Sequence, residues 1–178
     1  MIAPLVFIGC SKDYAEDCSY DLEKKKFKEE FTTIVIESGN GNVFVRKGDD
    51  YIYEYPGGWI EDEGHNEFWV ENGELHIASS FSESYVTMPD LNGVEVLSQN
   101  STTIIGKGHA NGEKTFELHE NATIKLGEVC GDEEVLAKSS AQMYVEAIIH
   151  SNGTVDLSDV ELSLSLIHIS EPTRQKPI

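Results

Sequence analysis

An all-β fold, with a right-handed parallel β-helix or β-solenoid preceded by an N-terminal β segment, is what this chain predicts. Three observations point there. Apolar residues come in short runs with a period of two, such as Tyr51-Ile52-Tyr53-Glu54-Tyr55, which is the spacing of a half-buried strand. Clusters of Gly, Asn and Pro separate the runs, and these residues supply turn conformations. The second half also repeats itself at intervals near twenty residues. No amphipathic helical pattern competes with these signals.

From Phe31 onward the elements follow in order. Thr33-Ile34-Val35-Ile36-Glu37 and Asn42-Val43-Phe44-Val45-Arg46 flank Ser38-Gly39-Asn40-Gly41, a hairpin or a tight corner, because Gly and Asn tolerate positive φ. The Tyr51–Tyr55 run stops at Pro56-Gly57-Gly58. Glu67-Phe68-Trp69-Val70 and Glu74-Leu75-His76-Ile77 are joined by Asn72-Gly73, a strong hairpin signal. Then Ser98-Gln99-Asn100-Ser101-Thr102-Thr103-Ile104-Ile105-Gly106 aligns with His119-Glu120-Asn121-Ala122-Thr123-Ile124-Lys125-Leu126-Gly127, 21 residues on. Ser140-Ala141-Gln142-Met143-Tyr144-Val145 reads as a further copy, and Asn152-Gly153-Thr154-Val155-Asp156-Leu157 follows. Units this short cannot bury an apolar face alone, so they are expected to stack as parallel coils from Leu91 to Ser163. Val94, Val96, Ile105, Phe116, Leu118, Leu126, Val145 and Leu157 are expected to point inward, with Asn100, Asn121 and Asn152 at corners. An antiparallel sandwich is the alternative.

Residues 31–163 therefore form the expected β-domain. Residues 11–30 are charged and weakly periodic, as a solvated tether is. Residues 1–10 are apolar and run into Ile8-Gly9-Cys10-Ser11. That resembles the end of a bacterial lipoprotein signal, in which the cysteine is lipidated, although no basic segment precedes it and Phe7 stands where leucine is usual. A buried first strand with a free Cys10 is the other reading. If Cys10 is lipidated, Cys18 and Cys130 remain to pair in an oxidising compartment. The tail, Leu164-Ser-Leu-Ile-His-Ile-Ser-Glu-Pro-Thr-Arg174, resembles the conceptual translation of a sequencing adapter. On that reading residues 164–178 are non-native and stand outside fold reasoning; a natural strand over Leu162–Ile169 is the alternative.

Thirty-two acidic residues against thirteen basic ones give a net charge of −19, which repels phosphate backbones and argues against nucleic-acid binding. No catalytic constellation appears. His65, His76, His109, His119 and His150 lie singly, without H-E-x-x-H or a Cys/His cluster. Neither a Gly-x-Ser-x-Gly elbow nor a P-loop is present. Lys107, Lys114, Lys125 and Lys138 are too scattered for a polysaccharide lyase. No cofactor and no metal site are expected, and the acidic loop Glu61–Glu67 reads as a solvated insertion, with Ca²⁺ binding as the other reading. Tyr51, Tyr53 and Tyr55 share one strand face with Trp59 just beyond; exposed, these rings stack on sugars, and buried, they are core. The sequons at Asn100, Asn121 and Asn152 read as repeat corners.

Three stretches carry a family resemblance: Phe31-Thr-Thr-Ile-Val-Ile-Glu-Ser-Gly-Asn-Gly-Asn-Val-Phe-Val-Arg-Lys-Gly-Asp49, Glu71-Asn-Gly-Glu-Leu-His-Ile77 and Val86-Thr-Met-Pro-Asp-Leu-Asn-Gly-Val-Glu-Val96. In this order they resemble the head GIN domain family of auto-transporter adhesins, bacterial lipoprotein-like proteins. The Asn100, Asn121 and Asn152 turns occupy the place of that family's recurring Ser-Gly-Ala/Ser turns, but Ser98-Gln99-Asn100 and His119-Glu120-Asn121 lack the glycine. The resemblance spans about Phe31 to Ser163. It implies a β-helical or β-solenoid domain exported to the cell envelope and implies little about its biochemistry. The lipoprotein-like Ile8-Gly9-Cys10-Ser11 adds the expectation of an outer-membrane or cell-surface protein anchored through a lipid on Cys10, and the fold together with the lack of a catalytic constellation adds that of a non-catalytic adhesin or interaction scaffold. Its implied partner is an envelope protein or a glycan. A carbohydrate-binding module using Tyr51, Tyr53, Tyr55 and Trp59 is the second reading, and a polysaccharide-acting enzyme the third.

Overall fold

Alternating sequence becomes two mixed, open sheets of seven strands each in the computed structural model. The structure describes residues 22–39, 41–57, 67–79, 81–132, 143–150, 152–157 and 167–170. In chain order the strands are β1 (Leu22–Lys26), β2 (Thr33–Ser38), β3 (Asn42–Lys47), β4 (Ile52–Pro56), β5 (Glu67–Glu71), β6 (Glu74–Ala78) and β7 (Glu83–Met88). They continue with β8 (Gly93–Val96), β9 (Thr102–Gly106), β10 (Gly112–Leu118), β11 (Thr123–Gly127), β12 (Met143–Ile149), β13 (Thr154–Asp156) and β14 (Ile167–Ser170). One turn of 3₁₀ helix, Lys107–His109, links β9 to β10, and the described residues contain no α-helix. No helix among them is long and apolar enough to cross a membrane.

The first sheet runs β1-β4-β7-β3-β9-β11-β13 and the second β14-β12-β10-β8-β2-β6-β5. From β6 to β14 the chain alternates between the sheets at every step. Most pairings are parallel, and the antiparallel ones are β1–β4, β4–β7 and β5–β6. Repeated parallel register lines up apolar residues in rows. Ile34, Val94, Phe116 and Ala147 form one row, and Ile36, Val96, Leu118 and Ile149 the next. Facing them, Val45, Ile105 and Leu126 share a row of the first sheet. All eight residues expected to point inward are buried.

The repeat register is visible in the pairing. Thr102, Thr123 and Thr154, each two residues after an aligned Asn, stand side by side. Asn100 and Asn121 adopt φ of 57° and 46°, the left-handed region that Asn enters at low cost. The Asn72-Gly73 turn has φ of 52° and 80°, as a two-residue hairpin requires, and it joins β5 to β6 in antiparallel register.

Several expectations change. Of the hairpin or tight corner expected between β2 and β3, the corner forms, because the two strands lie in different sheets. Parallel pairing is not confined to the stretch after Leu91: β2 is inserted between β6 and β8, and β3 between β7 and β9. Met143–Ile149 is not a third Asn-type copy; it lies in the opposite sheet beside β10. Leu22–Lys26, assigned to the tether, is an edge strand on β4, four of whose five residues are exposed. An edge so solvated has the composition of a tether, which hides it from pattern reading. β14 falls inside residues 164–178 and pairs parallel with β12; Ile-His-Ile-Ser has the period of two that any open sheet edge accepts.

A close approach at the first corner yields a test. A Cβ on Gly41 would clash with the Phe81 carbonyl oxygen, a backbone atom that cannot swing away. The Asn42 N–H to Ser82 O bond holds the two segments together, and Thr102 N–H to Gly41 O ties the corner to β9. Gly41→Ala is expected to cost about 1–3 kcal/mol or more by overpacking. Urea denaturation measures it, and an unchanged midpoint would refute the packing argument.

Candidate functional site

The outward face of the second sheet brings His76, His119 and His150 together with several carboxylates. Period-two alternation sends Phe116 and Leu118 of β10 inward, so Glu117 between them faces out. Glu95 of β8 is its direct neighbour. The register Leu118–Ile149 places His119 beside His150, one residue past the ends of β10 and β12. Backbone bonds from His119 N–H to Val96 O and from His150 N–H to Leu118 O continue the ladder through both residues.

The side chains converge. The two imidazole rings stack with centroids 4.2 Å apart and planes 15° from parallel. Glu117 Oε1 lies 2.8 Å from His150 Nε2 and 3.5 Å from His119 Nε2. Glu95 Oε1 is 3.8 Å from His119 Nε2. That nitrogen is shielded from solvent and makes no hydrogen bond. Burial, and then the charge of Glu117, push the Glu95 carboxyl above its ordinary range. Glu117, His119 and His150 offer three ligand atoms within 4.8 Å of one another. Further along the same face, His76 Nδ1 lies 2.8 Å from Glu37 Oε1, and the His76 ring stacks on Trp69 at 4.9 Å.

The aromatic residues singled out in the sequence lie elsewhere. Tyr53 is fully buried, stacked on Tyr55 at 5.5 Å and edge-on to Phe68 at 4.9 Å. Tyr55 also stacks on Phe81, and Tyr51 packs on Phe31. Both are partly buried against the main core. The strand face that looked suited to sugar stacking points between the sheets, so Tyr53 is not available to a glycan. Trp59, Cys10 and most of the acidic loop, 61–66, lie outside the described residues. Cys130 is disulfide-bonded, while Cys18 also falls outside the described residues. A crevice at Ser38, Ser79, Ser84 and Ser101 has room for about one water.

The outer face of the first sheet is occupied by the chain itself. Phe44 stacks on Tyr85 at 4.9 Å, and Tyr85, Ile104 and Val129 form a small second core. Arg46 donates to Thr87 Oγ1 at 2.9 Å and to the Cys130 carbonyl at 3.0 Å, and it pairs with the buried Glu54 carboxylate. Asp132 accepts from the backbone N–H groups of Lys47 and Gly108, both at 2.7 Å.

The histidine pair could have been found from the repeat. His119 and His150 each stand two residues before an aligned Asn, at Asn121 and Asn152. Reading them singly missed that equivalent positions of paired parallel strands become neighbours in space.

No family model matches the chain, so the head GIN resemblance rests on the residues quoted above. No curated protein matches it either. Among solved structures it is similar to a candidate adhesin from Parabacteroides distasonis, with 16% identity and a TM-score of 0.35, covering 76% of this chain and 65% of that one. A candidate adhesin from Parabacteroides merdae gives 11% identity and a TM-score of 0.30, covering 72% and 58%. The chain thus spans less than two thirds of the length of either.

Proposed function

We propose that this chain is a non-catalytic module of the cell envelope, a β-solenoid scaffold that presents a rigid face to an envelope protein or a glycan. The observation that carries it is the sheet-to-sheet alternation from β6 to β14 in parallel register. Such a course fills the interior with apolar rows and leaves a flat, ordered outer surface, which suits recognition better than turnover. The acidic, His-bearing face of the second sheet is the surface offered, since the centre of the other is covered by the segment around Val129 and Cys130. Fold alone does not assign a partner. Attachment is through a lipid on Cys10, with several acyl chains on one cysteine giving stable anchoring. The glycan reading through Tyr51, Tyr53, Tyr55 and Trp59 is the weaker one, because Tyr53 is buried and its neighbours are packed on the core.

Expression of the full-length gene with labelled palmitate tests the anchoring. Label is expected on the protein and is expected to vanish in Cys10→Ala. Absence of label, or its persistence in that variant, sinks the anchor. Turnover of any polysaccharide by the purified protein would overturn the non-catalytic reading.

A further inference from the structure

We propose that Glu117, His119 and His150 form a binding site for a divalent transition-metal ion of borderline softness, with Zn²⁺ the best match. This inference does not rest on the envelope reading. Two imidazole nitrogens and a carboxylate oxygen are the donor set such ions take. Calcium and magnesium prefer oxygen alone.

The spacing suits the ion. Zinc bonds of roughly 2.0–2.2 Å place tetrahedral ligand atoms about 3.4 Å apart. The oxygen of Glu117 is 2.8 and 3.5 Å from the two histidine nitrogens, and all three ligand atoms lie within 4.8 Å of one another, so side-chain rotation alone can bring them to that spacing. The rings leave their stack by rotating about χ2, which their partial exposure permits. Glu95 Oε1, 3.8 Å from His119 Nε2, or a water takes the fourth position.

Two features of the cluster call for a cation. Glu95 and Glu117 are direct neighbours on adjacent strands, where like charges destabilise a sheet. Meanwhile His119 Nε2 is shielded from solvent with no hydrogen-bond partner, an arrangement that costs free energy. One ion between these groups relieves both. Parallel register sets the site, since Glu95 of β8, Glu117 of β10 and the residues just past β10 and β12 are brought abreast by strand pairing and not by any local motif.

Calorimetric titration of the intact chain with zinc chloride, together with NMR of the imidazole rings, tests the site. The expected result is a zinc-dependent shift of the His119 and His150 ring signals. His119→Gln and His150→Gln should each weaken that binding at least about 100-fold, whereas His76→Gln on the same face should leave it unchanged. Both targets lie on the outward face, so the core is untouched, and circular dichroism verifies folding. Should either variant misfold, the ring signals of the unsubstituted protein decide. No shift of those two rings with zinc, or unchanged affinity in a folded His119→Gln/His150→Gln double variant, would overturn the proposal.

Discussion

Arg46→Ala is expected to destabilise the protein by about 3–5 kcal/mol, the usual cost of removing one partner from a buried ion pair. The reason lies in what remains. The Glu54 side chain is 4% exposed, and its other cationic partner, Lys24, is 65% exposed and contributes little against solvent. Without the guanidinium a carboxylate stays buried and largely uncompensated. The Cys130 carbonyl and the Thr87 hydroxyl lose a donor at the same time, and Tyr85 loses the cation 5.3 Å from its ring centroid. Combining Arg46→Met with Glu54→Leu should recover most of the loss, since well-packed apolar residues often replace a buried pair at little cost. Urea midpoints at constant slope give both numbers. A single-variant loss under about 1 kcal/mol would show that the pair is screened like a surface one.

Acid should unfold the protein partly through His109. Its ring is 1% exposed and Nε2 has no hydrogen-bond partner. Burial lowers its pKa from 6.5 to about 4, opposed by a hydrogen bond to the Arg46 backbone and by Asp132, with Lys47 and Lys114 adding to the lowering. Between those values the unfolded chain holds a proton that the folded chain refuses. Stability therefore falls as pH falls through 6.5, and the loss is complete below about 4. The shift corresponds to roughly 3 kcal/mol. Carboxylates contribute their own acid dependence, so the informative quantity is the difference between the unsubstituted protein and His109→Gln. The two stability curves should converge by about 3 kcal/mol as pH drops across this window. Parallel curves would mean that His109 is protonated without cost in the folded state.

Local chemistry in the sequence determined a good deal. The period-two alternation marked most strands, the eight inward residues were identified correctly, and Asn72-Gly73 specified its hairpin because positive φ is a property of those two residues. Even the stacking of Thr102, Thr123 and Thr154 was legible, since repeats too short to bury their own apolar face must lean on each other. Only the tertiary structure decided which strands became neighbours. Period two says which side chains face one way, and it does not distinguish a corner from a hairpin; Ser38–Gly41 sends β2 and β3 to different sheets. Nor does it reveal a strand inserted long after its neighbours in sequence, as β2 sits between β6 and β8. The tyrosine run shows the same limit: alternation put three rings on one side, and only the packing of Phe68 and Phe81 against them decided that the side was the interior. The Glu117–His119–His150 cluster arises the same way, because hydrogen-bonded parallel register sets residues from separate strands side by side, a proximity that spacing along the chain carries only through the repeat.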